Sequence, residues 1–295
     1  MFTQIAQRPN LSSHVLPNLA LLAVGSPFIF RQLFDPQSST YTYLIGDAQS
    51  REALIIDPVL EKAERDVDLV KALDLRLLYA INTHVHADHV TGTQKLKQDV
   101  KGCRSVISAL TKAKADVFFN DGDVIRCGSI ELECRSTPGH TPGCTTFVLH
   151  SAGAAFTGDA LLIRGCGRTD FQEGSADMLY DSVHSKILSL PRNYLLFPAH
   201  DYTGRMDKKA AVGSQPSEVS CEAAEPSDRL TKSKAEFIEI MNNLNLPRPK
   251  LMDHAVPLNL LLLSKKIEFF VLCFETIEQY TLGFQVEVNV FDIGG

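Results

Sequence analysis

Three histidines and one aspartate lie close together in residues 83–89, which read Thr-His-Val-His-Ala-Asp-His. This segment directly follows an apolar run, residues 75–81, that is typical of a buried strand. A strand end holds side chains rigidly, as a metal site requires. Imidazole nitrogens and carboxylate oxygens suit zinc, iron or manganese better than a metal that prefers thiolates. We therefore predict a metal loop at residues 83–89; three solvated histidines beside a helix are the alternative interpretation.

Three further polar residues lie where other strands are predicted to end. His140 lies in residues 137–143, Thr-Pro-Gly-His-Thr-Pro-Gly, whose glycines and prolines favour fixed turns. Asp159 follows an apolar run that ends in Phe-Thr-Gly, and His200 lies in Pro-Ala-His-Asp-Tyr. Each residue alone has a plain explanation as a surface histidine or a helix cap. Together with the metal loop, they predict one constellation of metal ligands.

The elements that carry these side chains alternate between strands and helices from Phe28 onward. Residues rich in β-branched and aromatic side chains predict strands at 41–45, 53–56, 75–81, 144–149, 154–157 and 194–197, with a hairpin that joins 124–125 to 130–134. Amphipathic helices are predicted at 61–75 and 176–190. This alternation indicates an α/β protein.

Composition and charge limit the classes of partner. The chain has 295 residues, of which 44% are hydrophobic and 22% charged, as in an ordinary soluble globular protein. Its formal net charge of -6 argues against nucleic acid or an anionic membrane as the main partner. The seven cysteines are scattered without a CxxC pair, which favours a reducing compartment over a disulfide framework. No stretch reaches the roughly 18 consecutive apolar residues of a membrane helix.

The order of these motifs, Thr-His-x-His-x-Asp-His, Gly-His-Thr, Gly-Asp and a late strand-end histidine, resembles the signature of the metallo-β-lactamase superfamily. The resemblance covers residues 28–256 and implies a four-layer αββα sandwich with metal at the strand ends. The stretch at 159–172, Asp-Ala-Leu-Leu-Ile-Arg-Gly-Cys-Gly-Arg-Thr-Asp-Phe-Gln, is similar to the persulfide dioxygenase family, that of the ethylmalonic-encephalopathy protein. Residues 39–44 and 240–247 are similar to the same family.

The resemblance implies an iron enzyme that oxidises glutathione persulfide with O₂ to sulfite and glutathione. One Fe(II) per chain would be held by His84, His140 and Asp159. Two histidines and one carboxylate leave three positions of an octahedral ion open, enough for O₂ and a substrate sulfur. Four further residues hold a second metal in the hydrolase relatives, and here we expect them to hydrogen-bond the ligands or bound waters: His86, Asp88, His89 and His200.

Two residues are candidates for the substrate side of the site. Arg168 resembles the family's substrate-side arginine, and its guanidinium would bind a carboxylate of glutathione; a structural ion pair is the alternative. Tyr202 would place a phenol near the iron, where it would hydrogen-bond a bound oxygen or sulfur ligand. We predict that Cys166, in Gly-Cys-Gly, packs rather than reacts, because the metal already supplies the chemistry.

The predicted organisation is a single metallo-β-lactamase domain at 28–257, with atypical extensions at 1–27 and 258–295 and a variable surface insertion at 205–228. The acid-poor N-terminal residues are compatible with a transit peptide, so we expect the mitochondrial matrix, with the cytoplasm as the alternative. The family resemblance implies a homodimer. Family members are expected to pair through surfaces near their chain ends, and the apolar tail at 258–295 departs from the family pattern there.

Two other functions stay open at this point. One is a hydroxyacylglutathione hydrolase of the glyoxalase II type, which would hold two zinc ions in place of one iron. That family is expected to carry basic residues in a C-terminal helical domain, and we find no such pattern after Lys250. The other is a non-catalytic binding member of the superfamily, against which the intact ligand set argues. The sequence therefore favours the dioxygenase.

Overall fold

Two β-sheets form the centre of the computed structural model, which describes residues 25–163, 165–202 and 229–261. The first sheet has six strands, which lie side by side in chain order: β1 (Phe28–Asp35), β2 (Thr40–Asp47), β3 (Glu52–Ile56), β4 (Arg76–Ile81), β5 (Arg104–Ser108) and β6 (Val117–Phe119). The second has five strands, again in chain order: β7 (Val124–Cys127), β8 (Ile130–Ser136), β9 (Thr145–Leu149), β10 (Ala154–Gly158) and β11 (Leu195–Pro198). Within each sheet, antiparallel pairs adjoin parallel ones.

The main hydrophobic core contains side chains from both sheets, as expected for two sheets packed face to face. Aromatic rings dominate it: the Tyr43 ring lies 5.1 Å from that of Phe156, and Phe30 lies 5.3 Å from Phe197. Full burial of such a side chain stabilises the fold by about 1.5–3 kcal/mol. This core fixes the relative position of the strand ends that carry the candidate ligands.

Helices cover the outer faces of both sheets. The first sheet is covered by α1 (Ala63–Ala72) and α2 (Thr93–Asp99), and the second by α3 (Ala176–Ser182) and α4 (Lys234–Asn242). Val67 and Leu96 are buried against the first sheet, and Leu179 and Phe237 against the second. The predicted four-layer αββα sandwich is therefore confirmed. A fifth helix, α5 (Met252–Leu261), lies beside the metal loop.

The two predicted helices are shorter than their sequence patterns suggest. Residues 61–75 form a 3₁₀ turn at Leu60–Lys62 followed by α1, and the chain leaves the helix before Asp74, whose positive φ of 51° cannot continue it. Residues 176–190 form α3 and then a π-helical turn at Val183–Ile187. The Ser185 hydroxyl donates to the carbonyl of Asp181 and so competes with the backbone ladder there.

Several predictions fall wholly or partly outside the described residues. Residues 1–24, 164, 203–228 and 262–295 are not described, so most of the predicted N-terminal extension, the insertion at 205–228 and most of the apolar tail lie there. The boundary predicted between residues 257 and 258 falls inside α5, which continues to Leu261. Within the described ranges, no helix has the length and apolar character needed to cross a bilayer.

Candidate metal centre

The metal loop and the three other candidate residues meet at one edge of the sandwich. The metal loop follows β4, His140 follows β8, Asp159 follows β10 and His200 follows β11, and all three are buried. Gly158 ends β10 with a positive φ of 53°, and a Cβ there would lie 2.8 Å from Thr83 Oγ1. Only glycine therefore lets β10 approach the metal loop this closely.

One ligand group consists of His84, His140 and Asp159, whose candidate ligand atoms all lie within 4.8 Å of one another. Asp159 Oδ2 lies 3.5 Å from His140 Nε2 and 3.9 Å from His84 Nε2. The other ring nitrogen of each histidine has its own partner: the carbonyl of Arg168 lies 2.6 Å from His140 Nδ1, and Thr83 Oγ1 lies 2.9 Å from His84 Nδ1. Both Nε2 atoms are thereby left to face the carboxylate.

The second ligand group consists of His86, Asp88 and His200, again within 4.8 Å. His200 Nε2 lies 3.5 Å from Asp88 Oδ2 and 3.4 Å from Asp159 Oδ1, so Asp159 presents one oxygen to each group. His89 lies beside this group, with its Nδ1 3.0 Å from Asp88 Oδ2.

Several buried atoms of this cluster have no hydrogen-bond partner among the described residues: His86 Nδ1, His89 Nε2, Asp159 Oδ1 and His200 Nε2. Buried polar atoms are rarely left unpaired in folded proteins. A cation bound between these nitrogens and oxygens would satisfy them. The arrangement therefore fits a metal ion, and its donor atoms suit iron, zinc or manganese.

Asp57, at the end of β3, supports the cluster and was missed in the sequence analysis. Its buried carboxylate accepts hydrogen bonds from the Thr83 backbone N–H (2.7 Å) and the Thr83 hydroxyl (2.8 Å), and lies 3.0 Å from His86 Nε2. Because a carboxylate can only accept, the Thr83 hydroxyl must donate to it and is left to accept from His84 Nδ1. The available signal was an acidic residue directly after a buried strand, at the edge where the other ligands converge.

The surroundings of His84 and His86 shift the pKa values of these two histidines in opposite directions. Burial lowers the pKa of His84 well below its ordinary value, which favours the neutral imidazole that a metal ligand must be. Burial acts on His86 in the same direction, but the carboxylates of Asp57, Asp88 and Asp159 outweigh it and raise the pKa of His86 to about 9. Because a carboxylate can only accept, His86 donates its Nε2–H to Asp57, and its Nδ1 is the atom that faces the second ligand group.

Arg168 has protein partners for its whole guanidinium. Its Nε and one Nη donate to the two oxygens of Asp170, each at 2.6 Å, and the other Nη donates to the carbonyl of Pro247 at 2.7 Å. The group also lies over the Phe171 ring, 4.6 Å from its centroid. These contacts correspond to the structural ion pair, the alternative interpretation of Arg168. Its backbone carbonyl, which orients His140, connects the residue to the metal centre.

Tyr202 and Cys166 differ in their relation to the site. The ring of Tyr202 stacks on that of His200 at 4.9 Å, while 60% of the residue is exposed. It therefore lies at the solvent side of the second ligand group. Cys166 is half-buried, with its Sγ 4.0 Å from Met241 Sδ, and burial raises the pKa of its thiol to about 11. Such a thiol stays protonated, as expected for a packing residue.

Comparisons with known proteins agree with this geometry. The family model of the metallo-β-lactamase superfamily matches residues 35–200. The mouse (Mus musculus) persulfide dioxygenase ETHE1, mitochondrial, is 56% identical over 238 residues, which are 81% of this chain and 90% of the mouse protein. The human (Homo sapiens) protein of the same name is 56% identical over 236 residues, which cover 80% and 89% of the two chains. The crystal structure of ETHE1 from Myxococcus xanthus superimposes with a TM-score of 0.71 at 47% identity and covers 78% of this chain and 97% of that one.

Proposed function

The chain belongs to the metallo-β-lactamase superfamily and, within it, to the persulfide dioxygenases, and we propose that it oxidises glutathione persulfide at one iron ion held by His84, His140 and Asp159. The persulfide, O₂ and one water would give glutathione, sulfite and two protons. The observation that carries the proposal is the buried set of two imidazoles and one carboxylate, in a chain 56% identical to mammalian persulfide dioxygenases.

The three ligands suit this chemistry better than they suit hydrolysis alone. Two histidines and one carboxylate on one face of Fe(II) are typical of non-haem oxygenases, and such an ion supplies open positions for O₂ and the terminal sulfur together with the electrons that activate O₂. The protein orients the two ligand imidazoles so that the Nε2 atom of each faces the same point. It does so through the Arg168 carbonyl on His140 and the Thr83 hydroxyl on His84.

The second group, His86, Asp88 and His200, would act on the water that the reaction consumes. Asp88 offers a carboxylate acceptor, and His200 Nε2 has no protein hydrogen-bond partner among the described residues. We propose that these two side chains would hold that water, with Tyr202 stacked on His200 at the solvent side of the group. The same atoms are a sufficient ligand set for a second ion, so the number of metal ions is the property to measure.

Activity and metal content of one preparation test the proposal. The purified protein should contain one iron per chain and take up O₂ with glutathione persulfide, releasing sulfite. With S-lactoylglutathione it should show little thioester cleavage. Two zinc ions per chain, with rapid thioester cleavage and no O₂ uptake, would instead establish a hydrolase of the glyoxalase II type.

Two alanine variants separate the one-iron site from a two-metal site. Asp159→Ala should lose iron and activity together, because it removes a ligand. His200→Ala should keep most of its iron and lose mainly rate, since residues outside the ligand set typically matter by about 10–100-fold. Equal loss of metal in both variants would make His200 a ligand and the site binuclear.

Location and assembly are also part of the proposal. The mammalian relatives are named as mitochondrial proteins, which supports a mitochondrial location for this chain. Imaging of the full-length chain with a C-terminal tag would test it. Pairing as a homodimer stays a prediction, which sedimentation of the purified protein would test.

A further inference from the structure

Asn259, on α5, connects the C-terminal part of the described chain to the metal loop. Its side chain is buried and makes three hydrogen bonds there. The amide nitrogen donates to the carbonyls of His86 and His89, each at 2.9 Å, and the amide oxygen accepts from the backbone N–H of Thr91 at 2.8 Å. The residue lies beyond position 257, where the sequence analysis placed an atypical extension.

These hydrogen bonds satisfy backbone groups in and next to the metal loop. The loop has no regular secondary structure, and all of its residues except the half-buried Asp88 are buried, so its buried backbone groups need partners from other parts of the chain. A carboxamide provides two donors and an acceptor in one rigid plane, and Asn259 uses all of them. Packing holds the helix in place: Leu258 contacts the side chains around Val90, and Leu260 those around Val85.

We propose that Asn259 is a positioning residue for the metal centre, acting through the backbone of the metal loop. By holding the carbonyls of His86 and His89, it fixes the direction in which both imidazoles leave the loop, and with them the neighbouring ligand His84. This inference rests on the proposed function only for its effect on turnover. Its effect on metal binding stands on the geometry alone.

Two substitutions separate the donors from the acceptor of Asn259. Asn259→Asp keeps the shape and the oxygen that faces Thr91, but it brings a carboxylate oxygen against the two carbonyls. Asn259→Leu removes all three hydrogen bonds at similar volume. Both variants should bind metal about 10–100-fold more weakly in a chelator competition, the size of effect typical of groups that orient ligands. In the metal-free protein, hydrogen exchange at the Thr91 amide should stay slow in the Asp variant and become fast in the Leu variant.

Two control variants remove the alternative that α5 merely stabilises the fold. Asn243→Asp changes an exposed asparagine whose side-chain amide donates to the carbonyl of Glu239, and it should bind metal like the wild type. Leu258→Ala weakens the packing of α5 but keeps the carboxamide, so it should lower the melting temperature alone. The absorption spectrum of the Co(II)-loaded protein reports ligand geometry, and it should change in Asn259→Asp but not in Leu258→Ala.

Three outcomes would overturn the inference. They are wild-type metal affinity in Asn259→Asp, an unchanged Co(II) spectrum in that variant, or losses in Leu258→Ala as large as those at position 259. If Asn259→Leu does not fold, the near-isosteric Asp variant decides the matter alone. A wild-type protein that binds iron but takes up no O₂ would refute the proposed function and leave these measurements interpretable.

Discussion

Replacing Asp57 by asparagine should weaken metal binding although Asp57 is not a ligand. In the wild type a chain of hydrogen bonds runs in one direction: His84 Nδ1–H to Thr83 Oγ1, and the Thr83 hydroxyl to Asp57 Oδ2. This direction leaves the lone pair of His84 Nε2 for the metal. Asparagine replaces one of the two carboxylate oxygens by an NH₂ group. An NH₂ group in place of Oδ2 faces the Thr83 hydroxyl, and one in place of Oδ1 faces the Thr83 backbone N–H and His86 Nε2, so in either case two donors oppose each other.

The magnitude follows from the bond that is lost. A buried hydrogen bond to a charged group contributes about 1.5–3 kcal/mol, and at least one of the Asp57 bonds cannot be remade by asparagine. If the Thr83 hydroxyl reverses, His84 takes the tautomer with its proton on Nε2, which must be removed before metal binds. Metal binding must then restore the wild-type direction and give up the hydrogen bond that the reversed hydroxyl makes, which corresponds to about 10–150-fold weaker metal binding at about 1.4 kcal/mol per factor of ten.

Chelator competition on purified Asp57→Asn measures this loss directly, and denaturant unfolding of the metal-free protein should show a similar loss of stability. Asp123→Asn is the matched control, because Asp123 is an exposed carboxylate that also accepts a backbone N–H, from Asn120 at 2.7 Å. It should change neither quantity. Metal affinity of Asp57→Asn within about twofold of the wild type would refute the assigned direction of the hydrogen-bond chain.

Three further predictions concern Gly167 and Arg168, which lie near His140, and Asp66 on α1. Gly167→Ala should lower the iron content, because a Cβ there would lie 2.8 Å from His140 Cγ. Gly165→Ala is the control and should keep its iron, since a Cβ there would have no neighbour closer than 3.9 Å. Metal analysis of both variants tests this, and equal iron contents would contradict the argument. Because Arg168 pairs with Asp170 and its carbonyl contacts His140, Arg168→Gln should lower the melting temperature and the iron content with little change in KM for the persulfide. A raised KM with an unchanged melting temperature would contradict this and support the predicted substrate contact. Burial raises the pKa of Asp66 to about 6, so the folded state holds the proton of this carboxyl more tightly than the unfolded state. The free energy of unfolding of the wild type should therefore fall as the pH rises from about 4 to about 7. Asp66→Asn should therefore gain stability over the wild type by up to about 3 kcal/mol across that window in urea unfolding, and a gain independent of pH would contradict it.

The alternation of strands and helices was enough to predict an α/β protein and the strands that end at the site, and the family resemblance supplied the αββα arrangement. His84, His140, Asp159 and His200 each follow a predicted strand, and this repeated placement led the sequence analysis to expect one set of metal ligands. Helix ends were harder to predict. They depend on single residues such as Asp74, whose backbone conformation ends α1.

The partners of these residues became known only from the tertiary structure. Asp57 and Asn259 reach the metal loop from other segments of the chain. Asp57 has one local signal, its place directly after a buried strand, whereas no local pattern distinguishes Asn259 from other polar residues. The same holds for Arg168, whose pairing with Asp170 and with the carbonyl of Pro247 is seen only in the fold, while its contact with substrate stays a prediction. Ligand types are encoded locally because metal chemistry restricts them to a few side chains. The groups that orient those ligands need only a donor or acceptor at the right point in space, which many residues can supply, so the packing of distant segments decides which one does.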